Sequence, residues 1–194
     1  MKGLLFFLLL PSLALAQHRL DLSRYTSIWV AEKNPDPKSW TSEEIYSIEK
    51  ESSFNDCNKK GLTVLIPDSN DVIIKGKSVF ILGYLINNSS ETLWIDRCDA
   101  TVYPAETQII VDCEWKTFQI SMGSSCGNSY FEAKLPPNSY YVLHINKPPE
   151  GNTQTQFRIK LKLGSKDYFS NPCPIRLTSE EIQKAGQPIK PLSM

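Results

Sequence analysis

The chain has 194 residues, of which 41% are hydrophobic and 22% charged, and its 21 basic residues are matched by 21 acidic ones. That balance leaves no excess positive charge to attract a polyanion and argues against a nucleic-acid partner. With only two histidines, His18 and His144, general acid–base catalysis has few candidates.

The first sixteen residues read as a secretory signal peptide. Lys2 is the positive n-region, Leu4 to Leu13 the apolar h-region, and Ala14-Leu15-Ala16 the cleavage site. No later stretch approaches the roughly 20 apolar residues of a membrane helix. The expected mature product, Gln17 to Met194, is secreted or periplasmic, with no transmembrane segment. Cys57, Cys98, Cys113, Cys126 and Cys173 would then meet an oxidising compartment, where disulfides form. Five is odd, so at least one thiol stays free or pairs with another molecule. None is spaced as C-x-x-C, which weakens zinc and redox readings.

Residues 17–60 read as an N-terminal extension. Thr26 to Ala31 suits a short strand, and Asn34-Pro35-Asp36-Pro37 breaks regular structure. Thr41-Ser42-Glu43-Glu44 is a capping box that predicts a helix over Ser42 to Ser52. Its Ile45 and Ile48 would lie on an outer sheet face made by Phe80, Leu82, Tyr84 and Ile86. The alternative is that this face receives a partner.

From Gly61 to Leu177 the signals are β. Leu62 to Ile66 is a first strand, closed by Pro67-Asp68-Ser69-Asn70. Ser78 to Asn88 is apolar on both alternating sets, the pattern of a central strand covered on both faces. Thr92 to Asp96 follows. A two-residue turn at Ala105-Glu106 would then make a hairpin with Cys98, Ala100 and Val102 facing Ile109, Val111 and Cys113. This register sets Cys98 opposite Cys113 within disulfide range. Cys126, in the flexible Gly123-Ser124-Ser125-Cys126-Gly127 loop, competes for either cysteine. Further strands are expected at Lys116 to Ile120, Tyr130 to Leu135, Tyr140 to Asn146 and Gln156 to Leu163. The last, near Asp167 to Leu177, is confined to a sheet edge or a pairing break by Pro172 and Pro174. In residues 178–194, a second capping box, Thr178-Ser179-Glu180-Glu181, starts a short helix ending at Gly186, and a loose tail follows.

Short strands with Pro/Asn/Gly turns, and helices only at the ends, define a mainly β chain. The expected fold is an antiparallel immunoglobulin-like β-sandwich with short terminal helices. Three stretches carry a resemblance: G-K-S-V-F-I-L-G-Y-L-I-N-N-S-S, L-P-P-N-S-Y-Y-V-L-H-I, and F-R-I-K-L-K-L running on to Y-F-S-N-P-C-P-I. On these, residues 61–177 resemble the immunoglobulin-like domains of small secreted bacterial proteins, including the BsuPI-type proteinase-inhibitor domain. The resemblance implies the sandwich and, as one activity, proteinase inhibition through an exposed loop such as Gly123 to Ser129 or Pro148 to Thr153.

Chemistry-bearing residues are sparse. His144 alternates with Tyr140 and Val142 and reads as a surface histidine, with no nucleophile pattern near it. A copper brace, as in some sandwich-fold monooxygenases, would need His18 as the N-terminal residue and His144 as its partner. Cleavage after Ala16 would leave Gln17 first, which argues against the brace. Asp99 and Asp112 come near one another in the expected hairpin but face outward, whereas glycosidase carboxylates converge in a cleft. Arg158, Lys160 and Lys162 form an outward row able to meet an acidic partner. Asn87 and Asn88 begin overlapping N-glycosylation sequons. The expectation is a non-enzymatic, cofactor-free binding module for a protein or envelope component, with proteinase inhibitor and copper enzyme as alternatives.

Overall fold

The computed structural model describes residues 21–31, 45–48 and 61–189; the signal segment, His18, Cys57 and the first capping box lie outside them. The strands, in chain order, are β1 (Tyr25–Thr26), β2 (Ile28–Ala31), β3 (Tyr46–Ser47), β4 (Leu62–Leu65), β5 (Asp71–Ile74), β6 (Lys77–Asn87), β7 (Leu93–Cys98) and β8 (Thr101–Val102). After these come β9 (Ala105–Val111), β10 (Glu114–Ser121), β11 (Tyr130–Leu135), β12 (Ser139–Asn146), β13 (Thr153–Leu163), β14 (Lys166–Phe169) and β15 (Cys173–Leu177), then helix α1 (Ser179–Lys184).

Among the described residues these strands form two sheets. One has six strands in the order β1-β10-β9-β13-β14, with β15 also on β13. The other has nine in the order β11-β7-β8-β2-β12-β6-β4, with β3 on β12 and β5 on β6. Ile28, Val30, Ile81, Leu85, Leu143 and Ile145 of the larger sheet share one buried core with Ile109, Phe118, Phe157, Ile159 and Leu161 of the smaller. The fold is therefore a mainly antiparallel β-sandwich, as the alternation of apolar residues requires.

The expected central strand, β6, is paired on both sides, by β12 on one and by β4 and β5 on the other, but stands next to the edge of the sheet and not at its middle. Its inward set, Ile81 and Leu85, joins the main core. On its outward side Tyr84 and Ile86 pack with Tyr140 and Val142 in a second cluster, which Tyr46 and Ile48 help to cover. Of the expected cover, Ile48 is in place while Ile45 is exposed, and over residues 45–48 the expected helix is absent. Tyr46 and Ser47 pair with Tyr140 and Ser139 as a strand, and the Tyr46 ring stacks on Tyr140 at 5.3 Å. Sheet pairing and ring stacking outweigh the weak two-residue apolar stripe; the remaining residues of that expected helix lie outside the described ones.

Residues 25–31, assigned from sequence to an extension, belong to the sandwich itself. β1 runs parallel to β10 in the smaller sheet, and β2 sits between β8 and β12 in the larger.

The expected Cys98–Cys113 hairpin is overturned. β7 turns back into β8 of the same sheet, the chain crosses at the cis Tyr103–Pro104 bond, and β9 pairs with β10 in the other sheet. The actual hairpin turn is Asp112-Cys113, both at positive φ (52° and 62°), the arrangement a type I′ turn needs. Cys98 is buried in β7 and Cys113 is exposed in this turn. Asp99 and Asp112 thus occupy turns of different sheets and do not meet. Alternation placed Ile109 of β9 inward correctly, but the reversal at Asp99-Ala100 sets Cys98 opposite Thr101 and Arg97 opposite Val102, so Cys98 and Val102 lie on different faces.

At the C-terminus the capping box is complete: Thr178 Oγ1 accepts from Glu181 N at 3.2 Å, and the Glu181 carboxylate accepts from Thr178 N at 2.9 Å. Gly186, at φ 79°, ends the helix and donates to Thr117 O at 2.8 Å. β14 and β15 both lie on the free side of β13, the edge position expected from Pro172 and Pro174.

Candidate binding face

The outward row foreseen on β13 stands on the open face of the six-stranded sheet, but its members have different partners. β9 supplies Glu106 and Gln108 opposite Lys160 and Arg158. β14 supplies Phe169 and Asp167 opposite Lys160 and Lys162. Trp115 of β10, opposite Ile110, completes the face.

Arg158 is held on three sides. Its Nε donates to Gln108 Oε1 at 2.8 Å. Its Cζ lies 4.1 Å from the Trp115 ring centroid and 4.3 Å from that of Phe169. Both distances are well inside the range of cation–π attraction. No acidic group pairs with it among the described residues. Phe169 remains 44% exposed despite this contact.

Lys160 is neutralised. Its Nζ lies 3.3 Å from both Glu106 Oε1 and Asp167 Oδ2. Partial burial works to lower its pKa, but the Glu106 charge and the bonds to both carboxylates outweigh that and leave it raised. Glu106 is anchored in turn by Thr117 Oγ1 at 3.1 Å. Lys162, at the end of the row, is exposed. The sequence placed these three cations correctly. It missed Trp115 and Phe169, which reach the row from β10, one strand beyond β9, and from β14.

Other candidates resolve differently. His144 is not a surface residue: it is only 4% exposed, stacks on Phe80 at 5.4 Å, and its Nε2 has no partner. Burial pushes its pKa down. The β2 strand and the covered outer face enclose it, a consequence that one strand's alternation could not reveal. Among the described residues no three His, Cys, Asp or Glu side chains gather into a metal-holding group.

The described cysteines are free thiols. Cys98 and Cys173 are buried, while Cys113 and Cys126 are exposed. A cleft of about 280 Å³ opens between Asp71, Lys147, Pro148, Cys173 and Arg176 at the sandwich rim. Lys147 is already engaged there by Asp71 Oδ1 (2.7 Å) and Ser78 Oγ (2.9 Å). Burial pushes the Cys173 thiol up to about 11, so it is no nucleophile at neutral pH.

The two loops differ as well. In Gly123 to Ser129, the Tyr130 hydroxyl accepts from Ser124 N (2.9 Å) and donates to Ser124 O (2.8 Å). In Pro148 to Thr153, Gly151 lies so close to Leu177 and Thr178 that a Cβ would sit 2.1 Å from their backbone. Asn87 is fully buried and its amide is spent inside the fold, so a sugar on that nitrogen is incompatible with this structure.

No helix among the described residues is long and apolar enough to cross a membrane. Compared with known proteins, the chain matches no family model, no curated protein and no solved structure.

Proposed function

We propose that this protein is an exported, non-enzymatic β-sandwich that binds another protein or an envelope component through the open face of its six-stranded sheet. The observation carrying this reading is the Trp115–Arg158–Phe169 stack. Trp and Arg are the residue types that dominate protein–protein hot spots, and here they are held in place before any partner arrives. A photo-reactive residue placed at Thr117, on this face, is expected to cross-link one partner in native envelope extract. The same probe at Glu132, on the other sheet, is expected not to. Trp115→Ala should abolish the Thr117 product; equal labelling from both positions, or none from Thr117, rejects the reading.

A second reading, proteinase inhibition, is supported by the loop at 148–153. It is pinned at Gly151 yet leaves Pro149, Glu150 and Asn152 exposed, and a rigid exposed segment is what an inhibitor presents. A panel of serine, cysteine and metalloproteases assayed with the mature chain separates the two.

A further inference from the structure

We infer that Arg158 is a receptor for a single carboxylate, and that a partner protein contributes it as one aspartate or glutamate flanked by apolar side chains. This rests on the open face being the binding face. The argument begins with the directions from which Arg158 can be approached. A guanidinium has five N–H donors in one plane and two π faces. The Nε donor is taken by Gln108 at 2.8 Å, and the Trp115 and Phe169 ring centroids lie 4.1 and 4.3 Å from Cζ. What remains is the Nη1/Nη2 edge, which carries no protein acceptor among the described residues. A ligand that arrives edge-on, in the guanidinium plane, meets these donors with no competing acceptor. That geometry suits the bidentate pairing of a planar carboxylate.

Two neighbours define the ligand further. Glu106 and Asp167, the nearest acids on the face, are both committed to Lys160 and do not quench Arg158. Lys160 and Lys162 balance these two acids, so the charge left on this group of residues is that of Arg158 alone, which one carboxylate matches. The rings flanking the guanidinium add apolar surface: Phe169 is substantially exposed, and Trp115 and Ile110 are half-buried. A residue beside the ligand carboxylate can rest on this surface, which gives preference for an apolar-acidic-apolar sequence over a free small acid. Holding the guanidinium in advance removes part of the ordering cost that a mobile surface arginine would bring to the same pairing.

The test uses the full mature chain labelled with 15N and three probes: the peptide acetyl-Phe-Glu-Phe-amide, its Gln counterpart, and inorganic phosphate. Arg158 side-chain resonances are followed by NMR. The Glu peptide should shift the Arg158 Nη signals saturably and bind about tenfold or more tightly than the Gln peptide. Arg158→Lys, which keeps the charge but not the fork, should lose a similar factor while still unfolding as one cooperative transition. Equal affinity for the Glu and Gln peptides overturns the carboxylate assignment, and a phosphate response matching that of the Glu peptide overturns the commitment to a peptide. The wild-type comparisons stand even if the variant fails to fold. If the cross-linked partner is lost in Trp115→Ala but retained in Arg158→Lys, the binding face survives and the carboxylate receptor does not.

Discussion

Replacing Asn87 by Ala tests how the top of the larger sheet is held. Asn87 ends β6 with its side chain fully buried. Its Nδ2 donates to Glu91 O (2.8 Å), Leu135 O (2.9 Å) and Pro136 O (3.0 Å), its two protons shared among three carbonyls. Its Oδ1 accepts from Ser89 N (3.0 Å) and Ser89 Oγ (2.6 Å). One amide thus joins the β6–β7 turn to the β11–β12 turn. Leu135 O is the buried acceptor, and leaving it without a donor costs about 1–3 kcal/mol. The other bonds lie where water can replace them, and their joint loss together with the vacated volume adds about 2 kcal/mol. The total of about 3–5 kcal/mol is a large share of the roughly 5–15 kcal/mol that holds a typical domain. In urea, with a slope of about 2 kcal/mol/M, the unfolding midpoint should fall by about 1.5–2.5 M at unchanged slope. Asn87→Asp should be worse at neutral pH, because it keeps the Ser89 contacts but turns an oxygen toward three carbonyls. Folding would raise that carboxyl's pKa above its ordinary value of about 3.9. Its penalty should therefore be small below pH of about 4 and grow as pH rises toward the folded value. A midpoint loss under about 0.5 M for Asn87→Ala would refute the reasoning, since the turns would then hold without the bridge.

His144 is held neutral by burial, with its folded pKa below the ordinary 6.5. The unfolded chain binds its proton first, so stability should fall as pH drops below about 6.5, by up to about 1.4 kcal/mol per pH unit. His144→Phe should flatten urea titrations in that window, and an unchanged slope counts against the assignment. Gly151→Ala would bring a Cβ to 2.1 Å from the Leu177 and Thr178 backbone and should cost about 2–4 kcal/mol, read as a lowered melting temperature. Brief alkylation of reduced native protein should modify Cys113 and Cys126 but spare Cys98 and Cys173 until denaturant is added. Peptide mass mapping checks this, and rapid labelling of Cys173 contradicts its burial.

The amino-acid sequence alone determined the class of the fold and much of its detail. Apolar alternation marked β6, β12 and β13 and told inward from outward residues, because which side a residue faces is a local consequence of strand geometry. The second capping box is equally local, and it formed as written. Which strand lies beside which is a different kind of property. Exchanging the Cys98–Cys113 hairpin for turns in two separate sheets leaves the inward set of β9 as expected but sets Cys98 on the face of Thr101 and away from Val102, because the chain reverses at Asp99-Ala100; periodicity along one strand could not reveal that reversal. Tertiary structure also decided the environment of His144, whose own strand shows polar-looking alternation while a neighbouring strand and a covered face enclose it. The same holds for Arg158. The row of cations was visible in β13, but Trp115 and Phe169 reach it from β10 and β14, more than forty positions before it in one case. Only closure of the sheet brings two rings onto one guanidinium, because side-chain stacking depends on distance in space and not along the chain.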